Sequence, residues 1–171
     1  MIFDIIIADS LRDFASEMPS RGWFGKEHDW VNRYAHGYLL KHCTPDGPLR
    51  EAAQIAIEVG VPQPPGYSAV AARRDLTIWP EAGQSCWDCD WKAVHHPLVV
   101  MEWKVHRPGR RNKEVKHERA WLRAYTAWRT DTVAYSVEAD LTAARHQLTS
   151  NRFVNGIEQS NWLSFEVGGV S

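Results

Sequence analysis

The segment Val99-Val100-Met101-Glu102-Trp103-Lys104-Val105 alternates so cleanly that it leaves the backbone one choice. Val99, Met101, Trp103 and Val105 fall on one side of an extended chain, and Val100, Glu102 and Lys104 on the other. Successive side chains of a strand point to opposite faces, so this period of two is a strand with one face in a core. It also sets Glu102 and Lys104 side by side on the polar face, about 6.5 to 7 Å apart along the backbone.

The rest of the chain supplies partners for that strand. Ala71 to Trp79 reads as a second, with Leu76 and Ile78 on one face and Asp75 and Thr77 on the other. From 55 to 61, Ile55, Ile57, Val59 and Val61 alternate with Ala56, Glu58 and Gly60, and β-branched residues favour a strand. Thr132 to Glu138 alternates Val133, Tyr135 and Val137. Helical spacing replaces alternation from Lys26 to His42, through Trp30/Val31, Tyr34/Ala35 and Tyr38. It recurs from Lys113 to Arg129, through Trp121, Leu122, Tyr125 and Trp128. A helix is expected from Ser10 to Met18, capped by Ser10 and ended by Pro19. A short one is expected over 49–54 and a weak one over Leu141 to Leu148, before a last strand from Trp162 to Val167. Pro62 to Gly66 makes a rigid loop and Pro80 to Pro97 a polar excursion. The expected order is αα(α)βββαβ(α)β: an α/β (α+β) chain with a central mixed sheet flanked by helices.

A chain of 171 residues, 44% hydrophobic and 24% charged, suits one soluble domain with a core of ordinary size. Its core is expected over about 26–138, with 80–97 as a loop insertion and 139–171 as a helix/strand extension. No apolar run approaches the roughly 18 to 20 residues of a membrane span. Met1 to Asp9 is apolar but carries Asp4 and no basic lead, so a strand or helix lead-in is expected, not a secretion signal. Three cysteines make no disulfide framework, and a reducing cytoplasm is the simplest compartment. The nine tryptophans follow no fixed period and read mostly as core.

A net charge of −1 conceals a local imbalance. Lys104, Arg107, Arg110, Arg111, Lys113, Lys116 and Arg119 face only Glu114 and Glu118, a balance of +5 between 104 and 119. A basic lobe beside an acidic site suits a polyanion whose phosphate must approach carboxylates. A solvated helix face after a basic loop accounts for the charge equally well.

Two carboxylates and an amine on neighbouring strands are what magnesium-dependent hydrolysis of a phosphodiester requires. Mg²⁺, or Mn²⁺, takes hard oxygen ligands and keeps several waters, so Asp75 and Glu102 suffice to hold it. Lys104 would orient the attacking water or stabilise charge on the phosphorane. The same three residues also fit an exposed strand face with ion pairs worth under about 1 kcal/mol. Glu58 is a further ligand candidate, or a solvated acid. Cys86-x-x-Cys89 followed by His95-His96 lacks the full spacing of a zinc site and reads as a cysteine-containing loop. His117-Glu118 has Trp121, not histidine, one turn on, so no zincin motif exists.

A strand with Asp, a variable excursion and an apolar strand ending Glu-x-Lys resembles the PD-(D/E)xK nuclease superfamily, the restriction-endonuclease-like fold. The αβββαβ order from Lys26 to Glu138 looks like its core, about two-thirds of the chain. The resemblance implies a metal-dependent nuclease acting on nucleic acid, DNA before RNA; the sequence leaves the oligomeric state open, a homodimer being one option. It implies that Glu27, on the first core helix, joins Asp75 and Glu102 near the metal. It also implies that the helix after Glu-x-Lys lends Lys113, Lys116 or His117 to the substrate side, with Arg107, Arg110 and Arg111 on the same lobe. The chain departs from the pattern in placing Arg74, not proline, before Asp75. The alternative reading is a protein that kept this fold as a binding module without turnover.

Overall fold

A computed structural model of the chain describes residues 2–17, 25–107, 115–142 and 146–167. Helices α1 (Ile2–Glu17) and α2 (Glu27–Gly37) are followed by strands β1 (Ile55–Pro62), β2 (Ala71–Ile78) and β3 (Val99–His106). Helix α3 (Val115–Trp128), strand β4 (Val133–Asp140) and the pair β5 (His146–Val154) and β6 (Ile157–Val167) complete the order. The six strands form one sheet in sequence order. Every neighbouring pair is antiparallel except β3 and β4, which are parallel and joined through α3. A parallel pair needs such a crossover, whereas antiparallel neighbours do not.

The sheet separates two cores. On one side α1 and α2 pack on Leu76, Ile78, Val99, Met101, Trp103, Tyr135 and Val137. On the other, Trp121, Leu122 and Tyr125 of α3 cover Val61, Val100, Ala134 and Phe153. The alternation of β3 therefore holds, although its second face is covered and Val100 and Glu102 are buried with the rest. Among the described residues, no helix is long and apolar enough to cross a membrane.

Helix α1 starts eight residues earlier than the Ser10 cap suggests. Phe3, Ile7, Leu11 and Phe14 are all buried, and their spacing of four, four and three carries the helical face back through the start of the chain. Ser10 is interior, its hydroxyl donating to the Ile7 carbonyl at 3.2 Å and lying 2.7 Å from the Tyr34 hydroxyl. Asp4 fastens the helix to the sheet: it accepts Arg152 Nε at 2.6 Å and the Tyr135 hydroxyl at 2.8 Å.

Phe14 meets Trp30, Tyr34, Tyr38 and Trp103 edge-on, at 5.1 to 5.9 Å between ring centroids. Phe14→Ala is therefore expected to lower stability by about 3–5 kcal/mol in urea unfolding. A loss under about 1 kcal/mol would show that α1 is dispensable to this core.

Two further expectations are corrected. The segment 49–54 forms only the 3₁₀ turn Ala52–Gln54, and α2 passes at Gly37 into a 3₁₀ turn over Leu39–His42. More consequentially, where the helix over Leu141 to Leu148 is expected, His146 to Leu148 instead open strand β5, residues 143–145 lying outside the described residues. Residues 146–167 form the β5–β6 hairpin, the turn being Asn155-Gly156, with φ of 51° and 77°. Two positive angles are those of a type I′ turn, one of the common two-residue hairpin loops, and asparagine and glycine tolerate them best. That dipeptide is the signal for the hairpin.

Candidate acidic site where two strands part

Strands β2 and β3 are paired through Ile78↔Val99, Thr77↔Val100 and Leu76↔Met101, and there the pairing ends. The next two residues in register are Asp75 and Glu102. Strand β3 stays paired along its full length with β4, from Val99↔Val133 to His106↔Asp140, so the opening is on the β2 side alone. A backbone N–H freed inside a fold must find another acceptor. That of Trp103 finds the Asp75 carboxylate, Oδ2 lying 2.7 Å away. Asp75 is thus turned toward β3 at the fork.

Glu102 is 5% exposed. Arg74 Nη1 donates to its Oε1 at 2.6 Å, and the same guanidinium lies 3.6 Å over the Trp121 ring. The Trp121 indole N–H donates in turn to the Gln63 side-chain oxygen. Lys104, two residues on, donates to Glu27 Oε1 and is paired with Glu118 Oε1, both at 3.0 Å. These acids stand in the first turns of α2 and α3, where backbone N–H groups favour negative charge. The Asp29 carboxylate turns away from the site and accepts the Lys26 backbone N–H at 2.6 Å, capping α2.

The cluster holds Glu27, Asp75, Glu102 and Glu118 against Arg74 and Lys104. Burial pushes the Glu102 carboxyl up to about 8; Arg74 opposes the rise, while Asp75 and Glu118 add to it. Burial likewise raises Glu118, against its bond to Lys104. Burial alone would lower Lys104, but its bonds to Glu118 and Glu27 outweigh that, and its pKa is raised above 10.5. The ammonium therefore stays charged at neutral pH, and the stability its pairing contributes is present below about pH 10 and lost above its raised pKa.

Of the residues singled out in the sequence, Asp75, Glu102, Lys104 and Glu27 come together. Glu58 does not join them: it sits at φ 52° in β1 and pairs with Arg73 at 3.2 Å on the exposed side. Lys116 and His117 are exposed on the first turn of α3. Arg107 donates to the Gly25 carbonyl just before α2. Arg110, Arg111 and Lys113 lie outside the described residues. Arg119 is paired with Glu158 of β6, as is Arg123. Cys86 is buried, Cys89 is exposed, and His96 Nδ1 lies 3.0 Å from the Tyr125 hydroxyl.

Two residues of the cluster escaped the sequence reading. Arg74 was visible only as a departure from a motif, and Glu118 only as an acid within a basic run. The signal for Glu118 is its place in the first turn of the helix that follows Glu-x-Lys. A βαβ crossover returns that helix over the strand it left.

Compared with known proteins, the chain matches no family model, no curated protein and no solved structure. What is defined is a mixed α/β protein, a six-stranded sheet between three helices, with an acidic cluster where β2 and β3 part.

Proposed function

We propose that the protein is a metal-dependent nuclease that hydrolyses phosphodiester bonds in nucleic acid, with DNA as the first substrate to test. The observation that carries this reading is the convergence of Asp75, Glu102 and Lys104 at the fork between β2 and β3, flanked by Glu27 and Glu118. The order α-βββ-α-β about that fork supports it.

The donors suit Mg²⁺ or Mn²⁺ in kind: all are hard carboxylate oxygens. Burial of Glu102 beside Asp75 gives the carboxyl a reason to take a divalent partner, since its negative charge is otherwise disfavoured. The ligands are not assembled in advance. Among the described residues no three His, Cys, Asp or Glu stand together as a metal cage. Asp75 and Glu102 would hold the cation, with Glu27 or Glu118 released from Lys104 to complete the set. When bound, such an ion activates water and offsets phosphate charge. Lys104 acts as a fixed positive donor and not as a base, because its acids hold it protonated. An ammonium has three N–H groups, and those not held by Glu27 or Glu118 orient the attacking water and meet charge developing on the phosphoryl oxygens.

The test is a cleavage panel of plasmid, linear and single-stranded DNA and RNA with Mg²⁺ or Mn²⁺, beside Asp75→Ala and an EDTA control. Metal-dependent cleavage that vanishes in Asp75→Ala is expected. Equal cutting by the variant would sink the assignment. One observation favours a second reading, a binding module without turnover: Arg74 already occupies Glu102 Oε1 at 2.6 Å. That reading predicts retention of nucleic acid by the wild-type protein with no metal-dependent product.

A further inference from the structure

Arg74 is tied to the cluster by two contacts of unequal kind, and one of its donors is unused. Its Nη1 is 2.6 Å from Glu102 Oε1. Its guanidinium rests 3.6 Å above Trp121, a platform that holds it independently of Glu102. Its Nε is buried and, among the described residues, has no hydrogen-bond partner. A buried donor without an acceptor is costly, so an arginine serving only to tie two strands together would be expected to use it. The unused donor lies on the residue that precedes Asp75, at the open end of the β2–β3 pair.

We infer that Arg74 is an exchangeable counter-ion: it balances the ionised Glu102 carboxylate while no divalent cation is bound, and binds a phosphodiester oxygen of the substrate once Glu102 is taken. This rests on the nuclease reading above and adds to it a residue that contacts substrate. The charge logic is simple. Once ionised, a buried carboxylate needs a positive neighbour, and a divalent ion on Glu102 repels an arginine held 2.6 Å from it, so the two cations compete for the same group. Arg74 then loses its partner, while Trp121 keeps the planar fork over the same opening. Guanidinium forks match phosphate oxygens with paired N–H donors, so the released group meets the substrate where the reacting phosphate must lie. Trp121 is thereby a positioning residue, acting through Arg74.

The coupling can be measured without turnover. Mn²⁺ uptake is followed by the loss of its free-ion electron paramagnetic signal, in wild type and Arg74→Met. Duplex binding is followed by fluorescence anisotropy of a labelled 20-mer in Ca²⁺. Arg74→Met is expected to bind Mn²⁺ about tenfold more tightly, because a competing charge is gone, and the duplex about tenfold more weakly. Equal Mn²⁺ affinities overturn the counter-ion role, and equal duplex affinities overturn the hand-over to phosphate. Should Arg74→Met fail to give the wild-type circular dichroism spectrum, Arg74→Lys decides. It keeps the charge without the fork, so weaker duplex binding is expected, and unchanged duplex binding overturns the proposal. Absence of Mn²⁺ uptake by every variant and by wild type overturns the nuclease reading itself. Uptake by all with one affinity removes only the role of Arg74.

Discussion

Replacing Lys104 with methionine is expected to reduce DNA cleavage by about 10²–10³-fold, the loss seen when one preorganised donor is taken from a developing anion. Methionine keeps the apolar stem that fills the space beside Glu102 and removes only the ammonium. The effect on folding should be much smaller. Lys104 is 11% exposed, but its partners Glu27 and Glu118 are 36% and 20% exposed and can turn toward water. Both also keep the favourable field of a helix start. A stability loss of about 1–3 kcal/mol in urea is expected, the range for hydrogen bonds to charged groups. Lys104→Arg restores the charge and most of the stability. Its broad fork does not reproduce the compact ammonium between two carboxylates, so cleavage stays low. Wild-type cutting by Lys104→Met would remove the lysine from the chemistry.

Glu102→Gln separates activity from stability and should move them in opposite directions. The free carboxyl titrates near 4.5 and the folded one near 8. Between those values the folded protein holds a proton that the unfolded chain has released. Stability therefore falls as pH rises through that window, by up to about 1.4 kcal/mol per pH unit for a full proton. Glu118, also raised by burial, adds a slope of the same sign. Lys104 adds none there, because it stays charged in both states. Glutamine has no proton to hold, so the variant should unfold at about the same urea concentration as wild type near pH 5 and at a higher one near pH 9. Cleavage and Mn²⁺ uptake should be lost. Parallel stability curves for the two proteins would show that Glu102 does not carry the shift. The outcome expected is the common one for a working site, where a charge that is poor for folding is retained.

Much of this arrangement was legible because it rests on period. The alternation of Val99 to Val105 and the helical stripes about Tyr34 and Tyr125 depend only on which side chains share a face. Those faces are the ones the cores use. Asp75 was legible as an acid on a strand but not as one turned toward β3, since that turn depends on β2 and β3 parting after Leu76. No local pattern records where two strands separate. Glu118 and Arg74 were hidden for the same reason, their roles being set by partners 14 and 28 residues away. The β5–β6 hairpin was legible and overlooked. The mixed polar run from His146 to Arg152 obscured the strand, although Asn155-Gly156 marked its turn.

Lys104 reaches across the sheet's open end to the first turns of two helices that pack on opposite faces. Those turns are where amide protons lack carbonyl partners within the helix, and so where exchange with solvent begins. One ammonium therefore sets the fraying of both helix starts together. Anything that draws Lys104 away should speed deuterium uptake in the first turn of α2 and the first turn of α3 in the same proportion. The two sides of the molecule share a hinge pin, although neither helix touches the other's core.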